Sequence, residues 1–281
     1  GEAWTRNSVS IGNGIYKSTD GGDTWTHTGL GEYERIARII VHPTNGDVVY
    51  ACVPGELWSD STERGLYKTT DGGVSWQLVL KGGNLSTGCS SIAMDPQNPE
   101  RLFAALWDFR RTGWTFRSGG ESPDVPSGSG LLVTEDGGHS WQDLNASTAS
   151  GLPAKPWGRS AITIAPSDSA RVYAVIESQR GALFVSDDRG RTFVERDRSQ
   201  LMVWRPFYFA NLVVDPKNSD RVFKTNYALI VSTDGGKSFT KTSEGAHGDW
   251  HDLWINPQNP MHLVGGDDGG LWTSVDGGNR W

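Results

Sequence analysis

The stretch 246–270, AHGDWHDLWINPQNPMHLVGGDDGG, gathers the side chains of this protein best suited to chemistry. His247, Asp249, His251 and Asp252 precede one apolar run, and Asp267 and Asp268 follow a second. A pair of carboxylates is what hydrolysis of a glycosidic bond uses, one as acid and one as base or nucleophile. Imidazole with carboxylate is also a donor set for a metal. The plain alternative is that these groups hydrogen-bond the ends of loops. The residues read more readily in that plain sense, and no metal or other cofactor is expected.

A second concentration is WDFRRTGWTFRSGGESPDVPSGSG, residues 107–130, a loop insertion rich in aromatic residues, Arg and Gly. Aromatic faces suit sugar rings, whose C–H patches pack on them while Arg and Asp bond the hydroxyls. Trp58, Trp107, Arg111, Trp114, Trp157, Trp204, Tyr208, Trp250, His251 and Asp268 are the candidate ligand contacts. Against this, the same aromatics serve equally well to pack the insertion or to cover an interface with a partner.

What must position these residues is a repeat. The phrase Ser/Thr-x-Asp-x-Gly-x-x-Trp/Phe occurs six times, at residues 18–25, 69–76, 134–141, 186–193, 232–239 and 274–281. Its aspartates are Asp20, Asp71, Asp136, Asp188, Asp234 and Asp276, spaced 51, 65, 52, 46 and 42 residues apart, which suits a unit of four strands. A second phrase interleaves with it: an apolar run, a Pro, a polar turn and another apolar run, as in ARIIVHPTNGDVVYA (37–51). Pro ends the first run and Asn, Asp and Ser make the turn, so this phrase is a hairpin of strands A and B. The Asp phrase joins strands C and D. Its Asp accepts backbone N–H groups, its glycines adopt turn conformations, and its Trp packs on a neighbouring sheet. One carboxylate per turn is too few for calcium, so the phrase is a structural staple.

Four-stranded units repeated about an axis make a β-propeller, so the fold class is all-β, with antiparallel blades. In these phrases the chain resembles the Asp-box, or BNR-repeat, propellers: sialidases, sortilin-type receptors and xyloglucanase-type glycoside hydrolases. GLYKTTDGGVSW (65–76) with VHPTNGDVVYA is most similar to the sortilin-like bacterial secreted proteins. The resemblance implies a secreted or periplasmic bacterial protein whose loop-bearing face engages a polysaccharide or protein ligand. Similarity to the xyloglucanases implies an alternative, an endo-β-glucanase with Asp252 and Asp267 as its carboxylates. In those enzymes the two come from facing propellers, whereas here both would come from one blade. The sialidase pattern is not matched, since WRPFYF (204–209) carries Arg205, Pro206 and Tyr208 in another order. The repeats run from strands C and D of one blade, through four whole blades, to A, B and C of a last: about five and a half. The expectation is a single propeller domain over 1–281, incomplete at both ends, with the rest of a seven- or eight-bladed ring or a second propeller supplied elsewhere. A closed six-bladed ring is the alternative.

Composition sets the exclusions. A net charge of -7 without a basic run leaves no electrostatic footprint for nucleic acid. No apolar run approaches the ~18 residues that cross a bilayer. Cys52 is expected in a strand and Cys89 in a loop, as two buried thiols, with a disulfide as the lesser alternative.

Overall fold

The computed structural model describes residues 3–119, 127–145, 148–179 and 181–281. Its strands form six antiparallel sheets in chain order. The first is a ribbon of β1 (Tyr16–Lys17) and β2 (Thr26–His27). Blade 1 is β3 (Arg38–His42), β4 (Asn45–Val53), β5 (Gly65–Thr69) and β6 (Gln77–Leu80). Blade 2 is β7 (Thr87–Met94), β8 (Leu102–Arg111), β10 (Gly130–Thr134) and β11 (Gln142–Asp143), with β9 (Phe116–Ser118) also paired to β8. Blade 3 is β12 (Ser160–Ala165), β13 (Asp168–Ile176), β14 (Ala182–Ser186) and β15 (Val194–Asp197). Blade 4 is β16 (Leu212–Asp215), β17 (Asn218–Lys224), β18 (Ile230–Ser232) and β19 (Thr240–Lys241). The last sheet, blade 5, is β20 (Trp250–Ile255), β21 (Leu263–Asp267) and β22 (Gly270–Ser274). This is the blade succession that the repeated phrases predict.

The core is not one mass but a series of layers between successive blades. A strand sends alternate side chains to opposite faces, and in the middle blades both faces are covered. On β13, Val172, Ala174 and Ile176 pack toward blade 2, while Tyr173 and Val175 pack toward blade 4. On β8, Phe103 and Ala105 face blade 3, while Leu102, Ala104 and Leu106 face blade 1. Each blade therefore completes its neighbours' cores, and its apolar strands read as nearly continuous runs.

The Asp phrase closes the same hydrogen-bonded ring in each copy. In blade 1 the Thr69 hydroxyl donates to Asp71 Oδ1 at 2.7 Å and accepts the Gly73 N–H at 3.0 Å, while Asp71 Oδ1 accepts the Ser75 N–H at 2.9 Å. The sets around Asp20, Asp136, Asp188 and Asp234 are alike, and Asp276 keeps the bonds from Ser274 and Arg280 N–H. Gly72 and Gly73 take the left-handed conformation this turn requires, with φ of 72° and 98°. The aromatic residue then reaches the preceding sheet: Trp76 Nε1 donates to Thr28 O at 2.8 Å and Trp141 Nε1 to Val79 O at 3.1 Å. The motif thus staples its own turn and stitches blade to blade.

These hydrogen bonds have a pH signature. The Ser75 hydroxyl and N–H, with the Thr69 hydroxyl, hold the Asp71 carboxyl well below the usual carboxylate range, and Ser140 with Thr134 does the same for Asp136. A carboxyl depressed in the folded state contributes stability that is present above its unfolded value, about 3.9, and is lost as pH falls toward the folded one. Denaturant midpoints should therefore hold steady between about pH 5 and 6 and drop below about pH 4, with a shallower drop in Asp71→Asn. A midpoint unchanged down to about pH 3 would contradict the ring as a source of stability.

Two expectations need correction. Cys89 lies in β7, not in a loop, and it is bonded to Cys52 of β4, with Cα atoms 5.0 Å apart. The alternation that buries both thiols also points them at each other across the blade 1–blade 2 layer. The segment beginning at Trp107 is in part sheet: β8 runs on to Arg111 and returns as β9, a hairpin added to blade 2. Residues 120–126 of that insertion lie outside the described residues.

Candidate functional site at the channel mouth

The innermost strands β3, β7, β12 and β16, with Asp252 at the inner end of β20, surround a cavity of about 690 Å³. At the end where these strands begin, Trp4 and Arg159 line it together with Arg38, Asn211 and Asp252. This is the face that carries the loops leading into each A strand. The backbone of β20 turns three consecutive side chains to three jobs. A register shift between Trp250 and Asp252 leaves His251 as an extra residue, and a bulge of this kind re-aims a side chain. Trp250 enters the core, His251 turns to the mouth, and Asp252 faces the channel. Asn211 holds the bulge in place by donating from Nδ2 to the His251 carbonyl at 2.7 Å.

At the mouth, His251 Nε2 lies 2.7 Å from Asp268 Oδ1, and the Tyr208 hydroxyl donates to the same oxygen over a long 3.4 Å. The imidazole packs edge-on against Tyr208, with centroids 4.7 Å apart, and stands 6.0 Å from the rings of both Phe209 and Trp4. Burial, then the Asp268 charge, pushes the Tyr208 hydroxyl up. His251 Nδ1 is buried without a hydrogen-bond partner among the described residues. Beneath lies Arg159, whose guanidinium donates to the carbonyls of Pro206 and Phe207 and stacks 4.4 Å from the Trp4 ring centre. Glu177 accepts the Arg159 N–H at 2.7 Å and the Ser118 hydroxyl, and burial pushes its carboxyl up.

The two candidate carboxylates have different surroundings. Asp252 is 57% exposed and pairs with Arg38 of blade 1, Nη1 to Oδ2, at 3.1 Å. Asp267 is buried, and its Oδ1 accepts the N–H groups of Gly269 at 2.8 Å and Gly270 at 3.0 Å. That carboxylate closes the β21–β22 turn and does not line the channel cavity. Among the described residues, no group of three or more His, Cys, Asp or Glu is placed to hold a metal ion.

The aromatic candidates divide by exposure. Trp114, at the tip of the β8–β9 hairpin, is 99% exposed; Trp58 is 51% exposed, and Trp204 leans on Tyr227 with centroids 6.0 Å apart. Arg111 lies over the Phe116 ring. Trp107, Trp157 and Trp250 are corrected from ligand contacts to core. Their rings are buried: Trp107 lies beside Leu57 and Phe109 with Nε1 bonded to Ser118 Oγ, Trp157 lies in the blade 2–blade 3 layer with Nε1 bonded to Pro153 O, and Trp250 packs on Trp281. Sequence reasoning missed Trp4, Arg6 and Arg38. The signal for the first two was an aromatic and a cation two residues apart ahead of the first strand.

Fold and mouth together define an all-β propeller with Asp-turn blades and loops gathered at one end of its channel. The Sortilin-Vps10 family model (sortilin, neurotensin receptor 3) matches residues 13–150. Among solved structures, an ancestral GH74 enzyme superposes with a TM-score of 0.62 at 19% identity, over 94% of this chain and 34% of that one. The GH74 xyloglucanase from Xanthomonas campestris gives 0.54 at 16% identity, over 96% of this chain and 48% of that one. A chain of the COPII coat assembled on membranes gives 0.58 at 9% identity, over 92% and 35%. The chain thus spans a third to a half of these proteins, and the likeness is one of fold: a propeller similar to the sortilin-like and xyloglucanase types. No curated protein sequence matches it. No helix among the described residues is long and apolar enough to cross a membrane, and the Cys52–Cys89 disulfide fits an oxidising environment.

Proposed function

We propose that the protein is a binding propeller of a bacterial secreted or periplasmic protein, holding a polysaccharide or protein ligand on its loop-bearing face. The observation that carries this reading is the convergence at the channel mouth of Tyr208, His251, Asp268 and Arg159, contributed by blades 3 and 5 and the loop between blades 3 and 4. Rings beside a carboxylate and hydrogen-bond donors are the makings of a polar-ligand subsite. The disulfide supports the compartment.

A second reading, a glycoside hydrolase of xyloglucanase type acting on a β-glucan, is favoured by the exposed Asp252 carboxylate in the channel and by the GH74 likeness in fold. It is weakened by Asp267, whose Oδ1 is committed to its own turn. One experiment separates the two: a panel of β-glucans including xyloglucan, assayed for retention by the immobilised protein and for reducing-sugar release, with the unaltered chain, Asp268→Asn and Asp252→Asn. We expect retention that weakens at least tenfold in Asp268→Asn, with no release of sugar. Release that disappears in Asp252→Asn would replace this reading with the hydrolase.

A further inference from the structure

The channel mouth is not empty of peptide. Residues 4–6 lie at it, with Trp4 lining the cavity and Arg6 over the Tyr208 ring. Trp4 lies between the Arg159 guanidinium, 4.4 Å from its ring centre, and the His251 imidazole, 6.0 Å away. Arg6 stands 5.0 Å over the ring of Tyr208, whose hydroxyl faces Asp268. Thr5 between them is fully buried, and Val9 packs against Leu57, Trp107 and Phe109. The mouth therefore complements this segment twice over: a cation and an imidazole for the indole, and a π-face beside a carboxylate for the guanidinium.

How the segment is held matters as much as where it lies. Among the described residues, its first main-chain hydrogen bond to the body is from Gly12 N–H to Glu34 O, at 2.9 Å. Ahead of Gly12 it is seated by side chains alone, and no strand ladder incorporates it. A segment held in that way opens locally at low cost compared with a strand.

We propose that the channel mouth is a docking site for a peptide carrying a tryptophan two residues before an arginine, and that the chain's own Trp4 and Arg6 fill it as a displaceable plug. This goes beyond the ligand reading above, and it holds or fails whether or not a glycan is bound. It also adds a consequence: any ligand of the mouth competes with residues 3–9, so releasing them raises its affinity.

The probe is a fluorescein-labelled peptide of residues 3–9, Ala-Trp-Thr-Arg-Asn-Ser-Val, followed by polarisation. It should bind the Trp4→Ala/Arg6→Ala chain at least tenfold more tightly than the unaltered chain, whose own plug competes. Adding His251→Ala to that double variant should cost at least tenfold, and a peptide with alanine in place of its tryptophan should not bind. Equal binding to both chains, or none to a double variant that keeps the circular dichroism and melting transition of the unaltered chain, overturns the proposal. If the double variant does not fold, trypsin cleavage after Arg6 decides: it should be at least tenfold faster in His251→Ala than in the unaltered chain, and an unchanged rate overturns the plug.

Discussion

Replacing both Cys52 and Cys89 by alanine should lower unfolding stability by about 4 kcal/mol and the melting temperature by roughly 10 °C. The bond joins β4 of blade 1 to β7 of blade 2 and closes a loop of 37 residues. Chain-entropy arguments give about that figure for a loop of such length, because the cross-link removes freedom mainly from the unfolded chain. The position adds to the effect. Both sulfurs are fully buried in the layer that Tyr50, Leu66, Leu102 and Leu106 share, so their loss also leaves unfilled space between two blades. Reductant alone should act slowly on the folded protein, since a thiolate must reach a sulfur that has no exposure. Calorimetry of the double variant, with thiol titration before and after denaturant, checks both statements. An unchanged melting temperature would remove the disulfide from the list of major stabilisers.

The second large effect has the opposite sign: Lys224→Met should stabilise the protein by about 3 to 5 kcal/mol near pH 6. Lys224 ends β17 and is fully buried, and its Nζ has one hydrogen bond among the described residues, to the Thr225 carbonyl at 3.0 Å. Burial, then the charge of Arg159, pushes the amine down to about 7. Between that value and the unfolded lysine value near 10.4, the unfolded chain binds a proton that the folded chain does not. Stability therefore rises with pH across that window. Below it both states are protonated, and the folded state carries the cost of an ammonium that has no carboxylate partner among the described residues. Methionine fills a similar space without that cost. The advantage of Lys224→Met should shrink steadily from about pH 7 to about pH 10, and guanidinium midpoints across that range measure it. A methionine variant less stable than the lysine chain at pH 6 would show that the ammonium is better solvated than its burial implies.

What was legible in the sequence follows from the range of the interactions involved. The Asp phrase closes within eight residues, through Thr69 to Asp71 to Ser75, so its six copies announced their turns directly. The Pro phrase did the same for the A–B hairpins, and the succession of sheets followed from their order. The channel face was legible only in part. His251 and Asp268 were brought together as expected of neighbouring loops on one blade. Asp267 was not free to join Asp252, because an aspartate two residues before a glycine folds back on its own turn. Trp107, Trp157 and Trp250 looked like ligand contacts because nothing local says whether an aromatic residue faces solvent or the next sheet.

By itself the sequence determined the repeat, the strand order within each blade, the box turns and a net charge of -7 without an apolar run of bilayer-spanning length, all properties of short windows or of composition. Only the tertiary structure decided which face of each strand is buried, because a blade buried on both sides shows one continuous apolar run and hides its alternation. It decided the Cys52–Cys89 pairing and the bulge that turns His251 outward, both of which depend on register between strands. It also decided that Trp4 and Arg6 lie at the channel mouth, a contact between residues about 200 or more positions apart in the chain that no local pattern encodes.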